Sequence, residues 1–178
     1  MKKVLIAYAS KSGTVKACAE RLARHLEGHE VVLCDLEQSM PSDISEYDFV
    51  AVGSPIRMSK LHKRVASFID KFDPALAKAR VGYFICCGFT DSAEEYMTKN
   101  LPAELRERAI TCACFGGELN ARAQRGWFDK YIMRAMISTV LDDGAHDGEM
   151  RTANLPSVDP ESISRFAGAI KESFGKRK

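Results

Sequence analysis

Three hydroxyl side chains and one glycine stand where an apolar run gives way to a segment of helical periodicity. The stretch that follows the run 4–9 reads Ser10-Lys11-Ser12-Gly13-Thr14-Val15. N–H groups at a helix start point outward and the helix dipole favours an anion, while each hydroxyl can donate a further hydrogen bond. Serine and threonine before a helix are also ordinary N-caps, and capping would explain one or two of them. The full set favours a phosphate-binding loop.

Other sequence patterns with known chemistry are absent. No GxxxxGK[ST] motif is present for a nucleoside triphosphate, and no GxGxxG motif follows an apolar run for a dinucleotide. There is no GxSxG turn of an α/β-hydrolase, and Ser10 and Ser54 stand where a response-regulator receiver needs acidic residues. The histidines are scattered and the cysteines form no CxxC pair, so we expect no metal site and reduced thiols. A mononucleotide is the phosphate ligand that remains, and no residue is identified as catalytic.

Five apolar runs of strand length alternate with segments of helical period. The runs cover 4–9, 31–34, 49–53, 81–87 and 110–115. Helical spacing recurs in segments marked by Val15, Leu22 and Leu26, by Val65, Phe68 and Phe72, and by Ile163, Phe166 and Ile170. Because the runs are continuously apolar, both faces of the sheet must be covered, which predicts a parallel α/β sheet. We therefore expect one doubly wound domain over 1–178, with five strands separated by helices.

Ligands of doubly wound sheets bind beyond the carboxyl ends of the strands. Besides the loop after the first run, the candidate segments are Ser54-Pro55-Ile56-Arg57-Met58 after the third and Cys87-Gly88-Phe89-Thr90 after the fourth. The polar connections 116–126 and 142–160 are long enough to be functional loops as well. We predict that the first three segments together form the cofactor site.

The first loop resembles that of flavodoxins, which reads roughly [ST]-x-T-G-x-T. Ser10, Ser12 and Gly13 match this pattern, while Val15 replaces the closing threonine. The resemblance implies a flavodoxin-like five-stranded parallel sheet of order 2-1-3-4-5 with helices on both faces. It also implies a noncovalently bound FMN, with the segment 54–58 packed against one face of the isoalloxazine ring.

Within that superfamily, the sequence is most similar to the menaquinone-dependent protoporphyrinogen oxidases. The likeness lies in the run from Val50 through Ile56-Arg57 to His62, in Gly117-Glu118-Leu119 and in Arg125-Gly126-Trp127-Phe128-Asp129-Lys130. It implies oxidation of a reduced substrate through FMN and delivery of the electrons to a quinone. Met58 stands where that family tends to have an aromatic residue, and the loop 87–91 is shorter than the family's inserted segment.

Basic residues surround the second candidate segment. From 49 to 69 there is no acidic residue, whereas Arg57, Lys60, Lys63 and Arg64 are present. Positive charge stabilises an anionic reduced flavin, so we expect a less reducing flavin than in acidic electron-carrier flavodoxins. The same charge would attract a carboxylate-bearing substrate or an anionic lipid surface. The alternative is an exposed helix start with ordinary solvated side chains.

The segment 127–137 carries apolar residues on almost every side of a helix, and the wider segment 122–137 combines aromatic, methionine and basic residues. One interpretation is docking to a membrane or a quinone. The other, which we favour, is burial against 142–160 or in a homodimer contact.

No run reaches the roughly 20 apolar residues of a membrane span. The balance of 26 Lys and Arg against 24 Asp and Glu argues against nucleic acid as a partner.

The leading hypothesis is a cytoplasmic FMN-dependent oxidoreductase resembling the quinone-linked protoporphyrinogen oxidases, with at most a peripheral contact to the inner membrane face. Its expected partners are a small-molecule redox substrate or quinone, or a redox partner protein. A soluble flavodoxin-type electron carrier is the first alternative, because the loop at Gly88 is short. A flavin-free interaction module of the same fold is the second, because Val15 and Met58 depart from the family patterns.

Overall fold

The secondary structure was obtained from a computed structural model, which describes residues 1–88, 90–117 and 157–175. The described strands are β1 (Lys3–Tyr8), β2 (Glu30–Asp35), β3 (Phe49–Arg57), β4 (Lys60–Leu61), β5 (Val81–Cys86) and β6 (Thr111–Cys114). The described helices are α1 (Thr14–His25), α2 (Lys63–Leu76), α3 (Ala93–Asn100), α4 (Ala103–Arg108) and α5 (Pro160–Gly175). A short 3₁₀ turn, Thr90–Ser92, precedes α3.

Five of these strands form one parallel sheet in the order β2-β1-β3-β5-β6. The predicted parallel α/β sheet and its order are therefore confirmed, since the same five segments were expected as strands. The two-residue β4 lies outside this order and pairs antiparallel with the end of β3. In a parallel sheet all carboxyl ends meet at one edge, so the loops after β1, β3, β5 and β6 share that edge.

Two details of the predicted element pattern are wrong. The expectation that helices separate all strands fails between β2 and β3, because the connection 36–48 contains turns and bends and no helix. The third strand was expected to end at Gly53, but it continues to Arg57 and includes most of the segment assigned as a loop. The extension matters for the site, because Ser54 and Pro55 continue the pairing with β5 while Ile56 and Arg57 pair with β4 in a hairpin.

Helices cover both faces of the sheet and create two apolar layers. α1 and α5 pack on one face against Val4, Ile6 and Phe49, while α2, α3 and α4 cover the other face through residues such as Phe68, Met97 and Leu105. Each apolar side chain that is fully removed from water stabilises the fold by about 1.5–3 kcal/mol. The strands alternate their side chains between the two layers, which explains why they read as continuous apolar runs.

An aromatic cluster packs against the central strands below the carboxyl edge. The rings of Phe84 and Phe115 stack with centroids 4.6 Å apart, and Phe166 from α5 meets both of them edge to face. On the neighbouring strand, a Cβ at Gly53 would lie 2.1 Å from the Phe84 ring. Only glycine fits there, so the close approach of β3 to this ring holds the start of the 54–57 segment in place.

Candidate functional site

Residues 10–14, the phosphate loop, connect β1 to α1. Gly13 has a φ of 92° and directly precedes the first helical residue, a conformation that other L-residues adopt only with strain. Its carbonyl accepts the Ala17 N–H at 2.9 Å. The Ser10 hydroxyl accepts the Lys16 N–H at 3.2 Å, so Ser10 satisfies one donor of the first helical turn. The capping interpretation therefore explains Ser10 but not the other hydroxyls.

Two hydroxyls of the phosphate loop are left for a ligand. Ser12 Oγ and Thr14 Oγ1 lie 3.4 Å apart, which is long for a bond between hydroxyls. The N–H groups of Thr14 and Val15 have no acceptor within the helix by its geometry. The Val15 side chain is buried in the core, so this residue would contact a ligand through its backbone, and Lys11 is exposed beside it. This donor set suits a doubly charged phosphate.

Residues 54–61, the site hairpin, comprise the end of β3, the turn at Met58-Ser59 and β4. Arg57 pairs with Lys60, and between them Met58 and Ser59 have φ values of 49° and 60°. Positive φ at both central residues is the geometry of a type I′ turn, which asparagine and glycine normally occupy. A non-glycine residue in this region costs about 1–2 kcal/mol. Met58 is 83% exposed at the tip of the hairpin, where its thioether side chain faces outward.

Side chains from two elements hold the site hairpin in place. Asn100, the last residue of α3, accepts the Leu61 N–H through Oδ1 at 3.0 Å and donates through Nδ2 to the Ser59 carbonyl at 2.8 Å. Ser54 is 1% exposed, and its hydroxyl accepts the His62 N–H and donates to the Pro55 carbonyl, both at 2.9 Å. The hydroxyl of Ser54 therefore supports the hairpin backbone. Pro55, Ile56 and Arg57 are half-buried.

His62 links three of the loops at this edge. Its Nδ1 accepts the Arg64 N–H at 3.3 Å and so caps α2, and its Nε2 lies 3.3 Å from Glu37 Oε1 without the alignment of a hydrogen bond. Burial lowers the pKa of His62, and the nearby cations Lys11, Lys63 and Arg57 lower it further, against the opposing effect of Glu37. Cations from the phosphate loop and from the site hairpin thus lie close enough to act on the same ring.

Residues 87–90 after β5 form the third predicted segment. Cys87 is buried, its N–H bonds the Gly116 carbonyl at 3.1 Å, and Gly88 is half-buried beyond it. Thr90 is exposed and begins the 3₁₀ turn, while Phe89 lies outside the described residues. A Cβ at Gly117 would lie 2.9 Å from the Cys87 backbone, so the segment after β6 packs directly on this loop.

The three predicted segments come together at one place in the topology. The chain runs from β1 outward to β2 and then returns to β3 on the other side of β1, so the order of the sheet reverses between β1 and β3. The phosphate loop and the site hairpin extend from these two strands, and the 87–90 loop extends from the next one. Ligands of open α/β sheets bind in the crevice at such a reversal. The predicted residues therefore occupy the expected location for a ligand.

A groove of about 590 Å³ lies elsewhere, at the amino ends of the strands. It is lined by the residues that precede β3 and β5 and by the end of α2, including Tyr47, Asp48, Pro74 and Arg80. The amino edge of such a sheet is not where its ligands bind. We therefore assign the candidate site to the carboxyl edge.

Sequence reasoning missed Glu37, Asn100 and the role of His62 as a cap. Glu37 and Asn100 act on distant parts of the chain, as the separation of 39 positions between Leu61 and Asn100 illustrates, and no local motif marks such contacts. The His62 cap is local, but histidine is not among the residues that usually mark an N-cap. In the described parts of the chain, acidic, histidine and cysteine side chains form no cluster that could hold a metal ion. Among the described helices, none has the length and apolar character needed to cross a membrane.

Comparison with known proteins supports a common origin over most of the chain. A family model described as "Flavodoxin domain" matches residues 5–147. A flavodoxin from Aquifex aeolicus (strain VF5) is 37% identical over 73 residues, which cover 39% of this chain and 40% of the relative's length. The chain thus spans less than half the length of that curated relative.

Solved structures share the fold at low sequence identity. A flavodoxin from Fusobacterium nucleatum bound to flavin mononucleotide has a TM-score of 0.50 at 12% identity, and the match covers 97% of this chain and 99% of that one. An oxidised flavodoxin 1 from Bacillus cereus has a TM-score of 0.50 at 17% identity, covering 79% and 97%. The sheet order and the family match over residues 5–147 lead to one conclusion: the chain belongs to the flavodoxin domain family.

Proposed function

We propose that this protein binds FMN noncovalently and transfers electrons through it. The observation that carries the proposal is the phosphate loop, which places the first turn of α1 and the hydroxyls of Ser12 and Thr14 directly after β1, beside the strand-order reversal. The flavodoxin of Fusobacterium nucleatum with this fold was solved bound to flavin mononucleotide, which supports the same ligand here. When bound, FMN supplies one- and two-electron redox chemistry.

The chain's own residues position and tune the cofactor. The phosphate loop would hold the terminal phosphate through N–H groups and hydroxyls, with Lys11 adding a positive charge. The site hairpin and the 87–90 loop would hold the isoalloxazine ring, with the Met58 thioether as an adaptable apolar contact. Asn100 and Ser54 keep the hairpin backbone in place through the hydrogen bonds described above.

A finer function is the oxidation of a carboxylate-bearing porphyrinogen with a quinone as electron acceptor. The basic rim of the site supports it, namely the cations Lys11, Arg57, Lys60, Lys63 and Arg64, which Glu37 only partly offsets. Such a rim attracts carboxylates and stabilises an anionic reduced flavin, which makes the flavin a weaker reductant. A membrane contact through 122–137 would bring the site to the quinone, and that segment lies outside the described residues.

A titration of the purified protein with FMN, followed by flavin fluorescence, tests the cofactor assignment. The double variant Ser12→Ala/Thr14→Ala removes two donors to phosphate, and hydrogen bonds to charged groups contribute about 1.5–3 kcal/mol each. We expect its dissociation constant to rise by at least about 100-fold. Thr98→Ala, which removes an exposed hydroxyl on α3, is the control and should bind like the wild type. Absence of FMN binding by the wild type would support the flavin-free module.

Oxidation of a porphyrinogen and simple electron transfer to a redox protein can be distinguished by whether the protein converts a porphyrinogen to a porphyrin. FMN-loaded protein mixed with a porphyrinogen and a quinone should produce porphyrin, detected by its fluorescence, at a rate that falls when Lys63 and Arg64 are replaced by glutamate. These positions are exposed at the start of α2. If no porphyrin forms while a redox protein still exchanges electrons with the flavin, the carrier function is supported instead.

A further inference from the structure

Two thiols face each other at the carboxyl edge of the sheet. Cys87 Sγ and Cys114 Sγ are 3.5 Å apart. Their closeness follows from the strand register: Cys114 on β6 pairs with Ile85 on β5, and Cys87 lies two residues beyond Ile85 on the same face of the sheet. The two cysteines are therefore diagonal neighbours on adjacent parallel strands.

The backbone around this pair is tied down on both sides. The Phe115 N–H bonds the Ile85 carbonyl at 2.9 Å, and the Cys87 N–H bonds the Gly116 carbonyl at 3.1 Å. Gly116 has a φ of 72°, and a Cβ there would lie 2.2 Å from the Ser157 carbonyl oxygen, so its position requires glycine. The thiols thus extend from a hydrogen-bonded backbone, and forming the S–S bond from the present 3.5 Å requires the two sulfurs to approach by about 1.5 Å.

The surroundings give the two sulfurs different roles. Hydrogen bonds from the Cys87 thiol and from the backbone of Gly116 and Cys87 stabilise a thiolate at Cys114 and lower its pKa. Cys114 is half-buried, whereas Cys87 is 6% exposed. A partly accessible thiolate beside a buried thiol is the arrangement of an attacking and a resolving cysteine.

A second close pair of thiols, Cys18 and Cys86, does not place a partly accessible sulfur beside a buried one. Cys18 and Cys86 lie on the other face of the sheet, with their sulfurs 3.7 Å apart and both residues buried. The Cys18 thiol and burial raise the pKa of Cys86 well above its usual range. Cys112, which is exposed, also has a raised pKa, chiefly through desolvation. Burial also raises the pKa of Cys34, so of Cys34, Cys86, Cys112 and Cys114 it is Cys114 whose surroundings favour the thiolate.

We propose that Cys87 and Cys114 form a redox-active dithiol, a second two-electron centre at the edge of the flavin site, with low-molecular-mass disulfides as oxidants. The Cys114 thiolate attacks one sulfur of the disulfide and releases the first thiolate leaving group. Cys87 then loses its proton, attacks the Cys114 sulfur and releases the second thiolate. The two cysteines lose two electrons to form one S–S bond, and the disulfide is reduced to two thiols. The chemistry does not depend on FMN.

Oxidised glutathione is the probe that tests this proposal on the native protein, with and without FMN. After incubation, free thiols are blocked with N-ethylmaleimide and tryptic peptides are identified by mass spectrometry. Peptides 81–99 and 109–122 each contain two cysteines, so the double variant Cys86→Ser/Cys112→Ser leaves one thiol in each. We expect these two peptides to be cross-linked in that variant and in the wild type, and the link to be reversed by dithiothreitol.

Single replacements separate the roles of the two thiols. In the double-variant background, Cys87→Ser should trap glutathione on Cys114, whereas Cys114→Ser should leave Cys87 unmodified. In the wild type at pH 7, Cys114 should be alkylated at least about tenfold faster than the more exposed Cys112, because an unperturbed thiol is only a few per cent thiolate. If the double variant does not fold, the link between peptides 81–99 and 109–122 is compared in the wild type and in Cys114→Ser, and we expect it in the wild type alone.

The outcomes distinguish this proposal from the assignment of FMN. A cross-link that forms in protein unable to bind FMN supports the dithiol while removing the flavin function. Absence of the 81–99 to 109–122 link in wild-type protein, or its persistence in Cys114→Ser, would overturn the dithiol and leave FMN binding untouched. A glutathione adduct confined to Cys112 would overturn it as well, since exposure alone would then govern reactivity.

Discussion

Replacing Asn100 by alanine tests whether the site hairpin is held from α3. The change removes the bond to the Leu61 N–H at 3.0 Å and the bonds from Nδ2 to the Ser59 and Tyr96 carbonyls, both at 2.8 Å. A typical hydrogen bond contributes about 0.5–1.5 kcal/mol net to stability. Water can bond to the carbonyls that the Asn100 side chain no longer reaches. We therefore expect the free energy of unfolding to fall by about 2 kcal/mol, near the lower end of the sum over these three hydrogen bonds.

Thr98→Ala is the matched control, because it also introduces alanine into α3 but removes an exposed side chain. Both changes raise helix propensity by a few tenths of a kcal/mol, so this effect cancels between them. Urea unfolding gives the free energy of unfolding, and FMN titration gives the affinity. We expect Asn100→Ala to be less stable than the control and to bind FMN about tenfold more weakly. Equal stability and equal FMN affinity of the two variants would show that Asn100 does not hold the site hairpin.

Three further substitutions address other features of the site. Burial lowers the pKa of His62, so the unfolded state takes up a proton first, and stability should fall as pH drops through about 6.5. Asparagine can also cap a helix but does not titrate. The free energy of unfolding that His62→Asn loses relative to the wild type, measured with urea, should therefore be smaller at pH 5.5 than at pH 7.5. Gly13→Ala should cost about 1–2 kcal/mol in urea unfolding, through strain at a φ of 92°. Ser59→Gly should raise the melting temperature, because glycine relieves the positive φ of the turn.

The sheet was predictable because its signal is strong and local. The central strands β1, β3 and β5 are apolar runs that helices bury on both faces, the edge strands β2 and β6 are only partly buried, and α1, α2 and α5 show clear helical spacing. α3 and α4 are short, and each buries a single residue, Met97 or Leu105, so their periodicity is too weak to detect. The site hairpin was not predicted because Met58-Ser59 lacks the asparagine and glycine that usually mark a type I′ turn.

The sequence predicted those parts of the candidate site whose position is set by the order of strands and helices along the chain. The phosphate loop is continuous in sequence, and its position after β1 follows from the topology. The contacts that shape the other loops join distant segments: Glu37 faces His62, and Cys87 meets Cys114 across 27 residues. Such pairs depend on strand register and loop conformation, which composition and periodicity do not determine.

A comparison of FMN with riboflavin, which lacks the terminal phosphate, shows whether the phosphate loop binds that phosphate. Calorimetric titration of the wild-type protein with each flavin gives both dissociation constants under the same conditions. Two or more hydrogen bonds to a charged phosphate, at about 1.5–3 kcal/mol each, predict that FMN binds at least about 100-fold more tightly. Equal affinity for the two flavins, or no binding of either, would contradict the account.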